Sequence, residues 1–369
     1  MRILFVSEAT GGGSPRSQRE LATMLVRRGH ALRFVVADRR PARLTRRAYE
    51  LLSDLSVRLE GRPGHAPVAR LRDRITNRIV RTTIEGLPHW TSALPQNILP
   101  AAIDDFRPDV IVVNSVERWA WRRIHATCAA RGIPTVLYVR EDDSLKHLDA
   151  GARPQVLLAN AASLAHQLRA KGHDCAFIPS VVDTSVTLTD SSRRTALAIN
   201  PIPSRGGDII WKVAERLPDI PFVVQESWPL PDDVLRDVNA HVARLPNLEL
   251  RRVTAPGPGL YGDARVLLVP YRVDNRPRVI LEAQSSGIPV IVGNTPALVE
   301  AIGDGGVCVE LDSIDDWVAA LRRLWDDAEH YQRLADAARL HSRRQDVDPV
   351  TLTDQFESLL RIAVDRPES

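Results

Sequence analysis

Between residues 261 and 306 the chain carries its densest run of chemistry. Asp274 and Glu282 are separated by seven residues, Arg276, Pro277, Arg278 and Val279 among them, and Gly287-Ile288-Pro289-Val290 follows. The pattern reads strand, loop, helix, glycine turn, strand. Proline suits the first turn of a helix, where no amide donor is lost, so backbone N–H groups around Arg276 to Val279 are expected to point into the loop. Such groups form a ready anion site. A second glycine turn, Gly11-Gly12-Gly13, follows an apolar run at 3–6 and precedes an amphipathic run through Leu21, Met24 and Leu25. Arg140 and Glu141 follow the apolar run 135–139, at the kind of strand end where open parallel sheets build their crevices.

The elements that must position these residues alternate along the whole chain. Short apolar runs at 3–6, 32–37, 110–113, 135–139, 156–159 and 176–178 are interleaved with helical patterns, which indicates a parallel sheet with helices on its faces. A second alternation begins at 196–199, continues through a helix at 207–216, and gives strands at 222–224, 248–250, 266–269, 289–292 and 307–309. Val318, Leu321 and Leu324 mark a further helix, and Leu352, Phe356, Leu359 and Leu360 share one face of a last one. The expected organisation is two doubly wound lobes, 1–180 and 181–348, with a tail helix at 349–369 returning to the first. A length of 369 residues agrees, because single cores stop growing near about 250 to 300 residues.

Composition narrows the class. The chain is 44% hydrophobic and 26% charged, which is globular and excludes a mostly disordered protein. No apolar stretch reaches the roughly 18 residues of a membrane-spanning helix, so the expected place of work is the cytoplasm. Cys128, Cys175 and Cys308 lie far apart in apolar surroundings and are expected to be buried and reduced. Only three of the 49 basic residues are lysine, an Arg bias that reads as genome composition. Residues 39–81 stand out, with twelve arginines against four acidic residues and with Leu51, Leu55 and Leu59 on one helical face. Packing of those leucines on the first lobe is the favoured reading, and contact with an anionic membrane surface the alternative.

The 261–306 stretch resembles the donor-binding signature of glycosyltransferase family 4, in which two glutamates separated by seven residues precede a helix and a G-x-P-V strand. Glu282 falls on the second glutamate, which in that family holds the ribose of the nucleotide. Asp274 falls on the first and is shorter by one methylene. The resemblance extends to Gly12 and Gly13 with the helix ending Arg27-Arg28-Gly29-His30, and to Pro179-Ser180-Val181-Val182-Asp183 between the lobes. Where the family shows G-R-L and later K-G, whose Arg and Lys grip the diphosphate, this chain has Asn200-Pro201-Ile202 and then Arg205-Gly206, so one cation is missing and the other is an arginine; the guanidinium fork of Arg205 can give two hydrogen bonds to phosphate oxygens. Asn114 stands where the family often has a His, and can hydrogen-bond a sugar without acting as a base.

What the resemblance implies is a GT-B fold, α/β, of two Rossmann-like lobes facing a central cleft. The activity would be transfer of a sugar, with retention, from a nucleotide diphosphate sugar to an unidentified acceptor: a small molecule, a polysaccharide or a lipid-linked sugar. Arg205 and Asp274 would serve catalysis, Glu282, Arg278, Val279, Asn200, Gly12 and Gly13 the donor, and Asn114, Arg140 and Glu141 the acceptor or donor sugar. No cofactor and no metal are expected, and no nucleic acid partner.

Rival readings are a nucleotide-sugar epimerase of the same fold and a degenerate sugar-nucleotide-binding protein without turnover. A dehydrogenase is disfavoured because Arg16 replaces the third glycine of a dinucleotide loop. Asp346-Val347-Asp348, which precedes Pro349, reads as a helix-capping loop and not as a metal pair.

Overall fold

The computed structural model describes residues 1–7, 11–37, 51–52, 54–55, 58–59, 61–76, 79–114, 116, 118–141, 148, 152–253 and 257–365. Asp38, which follows the apolar run 32–37 and could carry a ribose ligand in a dinucleotide fold, lies outside the described residues. The chain divides into two compact units. Unit 1 comprises Met1–Leu158, Gly172–Ala176 and Thr353–Ser369, and unit 2 comprises Ala159–Lys171 and Phe177–Leu352. Residues 159–171, grouped with the first lobe on sequence, thus belong with unit 2.

The first sheet has eight strands in the order β3-β4-β2-β1-β5-β6-β7-β8. They are β1 (Arg2–Ser7), β2 (Ala31–Ala37), β3 (Val80–Ile84), β4 (Leu87–Ser92), β5 (Val110–Asn114), β6 (Thr135–Val139), β7 (Val156–Ala159) and β8 (Cys175–Phe177). Between them run α1 (Gly13–Arg27), α2 (His65–Thr76), α3 (Pro95–Phe106), α4 (Arg118–Ala129) and α5 (Ala162–Ala170). The central strands β4, β2, β1, β5 and β6 are parallel. Every residue of β5 and β6 is buried, which is why both read as apolar runs broken only at one end, by Asn114 and Thr135.

The hairpin β3-β4 was not anticipated. β3 is an antiparallel edge strand whose residues are almost all exposed, so it lacks the apolar run that marks its neighbours. Its turn is the pair Glu85-Gly86, both at positive φ, 52° and 78°. Arg19 holds the turn by two 2.9 Å bonds to the Glu85 carboxylate. A two-residue turn ending in Gly between β-branched and aromatic residues is the signal that reveals such a hairpin.

The second sheet has six strands in the order β11-β10-β9-β12-β13-β14, and all of its pairings are parallel. They are β9 (Thr195–Ile199), β10 (Phe222–Gln225), β11 (Leu248–Arg251), β12 (Ala264–Val269), β13 (Val290–Gly293) and β14 (Gly306–Val309). The helices of this region are α6 (Gly207–Arg216), α7 (Asp232–Arg244), α8 (Arg278–Ser285), α9 (Pro296–Ile302), α10 (Ile314–Asp326) and α11 (Ala328–Ser342). One face of the sheet is covered by a core that includes Ile209, Trp211, Phe222, Trp317 and Tyr331. The other is covered by Tyr261, Tyr271, Ile280 and Leu298. In each sheet the winding direction reverses once, between β1 and β5 and between β9 and β12, and open α/β sheets bind ligands beyond the strand ends at that reversal.

The last helix, α12 (Pro349–Asp365), buries Leu352, Phe356, Leu360 and Ala363. From Thr353 onward it belongs to unit 1. There Arg28, at the end of α1, pairs with Asp354 at 2.7 Å and Glu357 at 3.1 Å. Asp348 caps the helix, accepting from the Thr351 amide at 2.8 Å, and Asp346 pairs with Arg344, so this aspartate pair is a capping loop.

Three expectations need correction or restriction. Cys128 and Cys175 are buried, and burial pushes the Cys128 thiol up to about 12, but Cys308 is exposed because β14 is an edge strand. Leu51 and Leu55 are 71% and 43% exposed, so neither packs into unit 1 as favoured. Much of 39–81 lies outside the described residues. No helix among the described residues is long and apolar enough to cross a membrane.

Candidate functional site

The reversal in the second sheet brings together the loops that follow β9 and β12. After β9 the chain turns at Asn200, buried at φ 49°, and reaches Gly206 at φ 68°. A β-carbon on Gly206 would lie 2.1 Å from the Pro270 carbonyl oxygen, and one on Gly207 would lie 2.2 Å from that of Pro201. Only glycine allows this approach of backbone to backbone. It sets Arg205 beside Tyr271: Arg205 Nη1 donates to the Tyr271 hydroxyl at 3.1 Å. The guanidinium carbon also lies 4.8 Å from the centroid of the Tyr271 ring and 4.5 Å from that of Trp228.

Glu282 lies on α8, one turn beyond Arg278, and is 1% exposed. Its Oε1 accepts from Arg278 Nε at 2.9 Å and its Oε2 from the Tyr261 hydroxyl at 2.8 Å. Burial, and then the Glu282 charge, push the Tyr261 phenol well above its ordinary range. Arg278, read from sequence as a donor ligand, is thus itself buried against Glu282. A nucleotide ribose could reach this carboxylate only through its remaining lone pairs. Val279 is half-buried, and its carbonyl lies 3.4 Å from the Tyr261 hydroxyl. Pro277 sits one position earlier than expected, at the N-cap of α8, and no acidic residue occupies the first turn.

Asp274 faces a different set of partners. Its Oδ1 accepts from the Ala297 amide at 2.8 Å, in the first turn of α9. Its Oδ2 lies 3.5 Å from both Ser163 Oγ and Gln167 Nε2 on α5. Glu300 on α9 returns the favour to α5, accepting from the Ala162 amide at 2.8 Å, and it also pairs with Arg276 at 2.7 Å. Burial lowers the pKa of Arg276 against the opposing pull of Glu300. Asp274 therefore braces α9, and Glu300 on that helix braces α5. This reciprocal bracing explains why 159–171 belong with unit 2.

Three adjacent strands end beside buried polar atoms that have no hydrogen-bond partner: Nδ2 of Asn200 after β9, Oδ1 of Asn275 after β12 and Oγ1 of Thr295 after β13. The other end of the Asn200 amide accepts from the Ser227 backbone. Each unsatisfied group costs about 1–3 kcal/mol, and native proteins tolerate few. Their concentration along the carboxyl edge marks it as a place built for polar contacts.

At the reversal in the first sheet, Gly12 adopts φ 100° as the N-cap of α1, and Gly13 opens the helix. Asn114, fully buried, donates to Ser14 Oγ at 2.8 Å and accepts from Arg140 Nε at 2.7 Å. The Arg140 guanidinium lies 4.1 Å from the Tyr138 ring centroid. Glu141 is exposed. Gln18 on α1 and Gln96 on α3 are buried with neither amide atom partnered. Sequence reasoning found Asn114 and Arg140 but missed Ser14, Gln18 and Gln96. In unit 2 it missed Tyr261, Tyr271 and Trp228. Only Trp228, in the Pro-rich loop after β10, carried a local signal. Among the described residues no group of three or more His, Cys, Asp or Glu side chains could hold a metal ion.

Residues 257–341 match the family model for glycosyl transferases group 1. Over 111 residues, 29% of this chain and 27% of the relative, the sequence is 31% identical to a D-inositol 3-phosphate glycosyltransferase of Paenarthrobacter aurescens. Over 139 residues, 37% of this chain and 30% of the relative, it is 28% identical to the O-antigen chain mannosyltransferase B of Escherichia coli. The chain thus spans less than a third of the length of these curated relatives. Among solved structures, HepE of Anabaena in complex with UDP and glucose aligns over 98% of this chain and 99% of its own with a TM-score of 0.72 and 14% identity. Sucrose-phosphate synthase of Thermosynechococcus elongatus aligns over 98% of both chains with a TM-score of 0.73 and 13% identity. At such identities the likeness is one of fold. The fold is GT-B, as expected.

Proposed function

We propose that the chain is a glycosyltransferase that takes a nucleoside diphosphate sugar as donor, binds it at the carboxyl edge of the second sheet, and works in the cytoplasm without a metal. The observation that carries the reading is Arg205, set by the Gly206 contact at the β9/β12 reversal within the matched type of fold. When a glycosidic bond to a diphosphate breaks, negative charge grows on the leaving group. A fixed guanidinium and oriented N–H groups stabilise that charge more than they stabilise the ground state. The N-terminus of α8, free of acidic residues in its first turn, adds to the same field.

The hydroxyl-bearing acceptor belongs in this reading to the edge of the first sheet, where Asn114, Ser14, Gln18 and Gln96 offer neutral donors and acceptors. Transfer with retention follows the family resemblance. The relatives named above act on a phosphorylated inositol and on an O-antigen chain, which supports a phosphorylated polyol or a growing polysaccharide as acceptor.

Calorimetric titration with UDP, GDP, ADP and dTDP tests the donor site. At least one is expected to bind, and Arg205→Ala to weaken it by about ten- to a hundredfold, the value of a charge-assisted hydrogen bond. Equal binding by Arg205→Ala, or no binding of any of the four by the wild type, sinks the reading. An epimerase would instead convert a nucleotide sugar with no acceptor present.

A further inference from the structure

Arg205 stands between two features that no motif announced. Its guanidinium carbon lies 4.5 Å from the Trp228 ring centroid, and its Nη1 bonds the buried Tyr271 hydroxyl at 3.1 Å. An exposed arginine samples many rotamers, and ordering it costs entropy at the moment a ligand binds. Stacking over an aromatic ring removes part of that cost and leaves the in-plane N–H groups to reach an acceptor.

The loop carrying Trp228 is itself held. Asn200 Oδ1 accepts from the Ser227 amide. Glu226, buried, accepts from the Leu230 amide at 3.3 Å and the Val253 amide at 3.3 Å, and pairs with Arg252 at 2.8 Å. Pro229 and Pro231 restrict the backbone on either side of Leu230, whose side chain is buried. A half-buried tryptophan on a segment anchored at both ends is a rigid wall, and Arg205 rests on it.

We propose that Trp228, with Tyr271, is a positioning residue: it holds the Arg205 guanidinium in the orientation that receives the donor diphosphate. The inference rests on the donor-site reading above. Asn200 acts in it through its bond to the Trp228 loop. Trp228 acts through Arg205 and need not touch the donor.

The experiment pairs two readouts on wild type, Arg205→Ala, Trp228→Ala, Trp228→Phe and Tyr271→Phe, with folding checked by circular dichroism. The first is the rate at which phenylglyoxal modifies Arg205, followed by peptide mass spectrometry, which needs no ligand. The second is affinity for inorganic pyrophosphate by calorimetry. Trp228→Ala is expected to expose Arg205 to faster modification and to lower pyrophosphate affinity by about tenfold. Trp228→Phe, which keeps an aromatic face, is expected to restore most of both, a rescue that general loosening of the loop would not give. Wild-type pyrophosphate binding combined with unchanged modification and affinity in Trp228→Ala overturns the inference alone. A wild type that binds neither pyrophosphate nor any nucleoside diphosphate overturns the donor reading and the inference with it.

Discussion

The carboxyl edges of the two sheets share a topology and differ in chemistry. In unit 2 the edge is ionic: Asp274 and Glu300 cap helices, Glu282 lies between Arg278 and Tyr261, and Glu226 ties its loop to Arg252. In the described part of unit 1 the central group is a neutral amide, Asn114, linking a hydroxyl to Arg140. Buried carboxylates must be matched by cations or helix N-termini, and such matching fixes geometry closely. Amides can turn between donor and acceptor roles and tolerate hydroxyl ligands of varied shape. The contrast sets a rigid, charge-matched edge in unit 2 against an adaptable, neutral one in unit 1.

Substitutions at the centre of each edge can break this contrast. The largest effect is expected for Glu282→Ala, which removes the carboxylate paired with a buried Arg278. Loss of one member of a buried pair costs roughly 3–5 kcal/mol, so the unfolding of unit 2 should move to markedly lower denaturant. A loss under about 1 kcal/mol would mean that the pair is wetter than its 1% exposure indicates.

Asn114→Ala comes next, at about 1–3 kcal/mol in unit 1 for an unmade buried hydrogen bond. It should leave nucleoside diphosphate affinity at the wild-type value while lowering turnover with an acceptor. Donor affinity that falls with it would show that the two edges are not chemically separate. The smallest effect is expected for Asp274→Ala, about 0.5–2 kcal/mol for a lost helix cap. Hydrogen exchange should report it as faster exchange at the Ala297 amide, and unchanged protection there would remove Asp274 from its bracing role.

Much of this molecule is legible without coordinates. Fully buried parallel strands are apolar through most of their length, so β5, β6 and β9 stand out as mainly apolar runs, and Gly207–Arg216 reads as a helix from its periodicity. Arg205, Asp274 and Glu282 were singled out by the resemblance of their segments to a family pattern, and the structure sets Arg205 in the segment after β9 and Asp274 and Glu282 in the loop and helix after β12. The edge elements were not legible, because the exposed strand β3 and the exposed Cys308 on β14 obey no burial pattern.

Only the tertiary structure decided what each of these residues touches. Tyr261 reaches Glu282 across 21 positions, Ala297 reaches Asp274 across 23, and Asn114 meets Ser14 across 100. Local sequence sets which face of an element is apolar, because that depends on neighbours one turn or one pleat away. Partners at the end of a strand are set by which other strands lie beside it, and the crossovers of a doubly wound sheet place distant segments there.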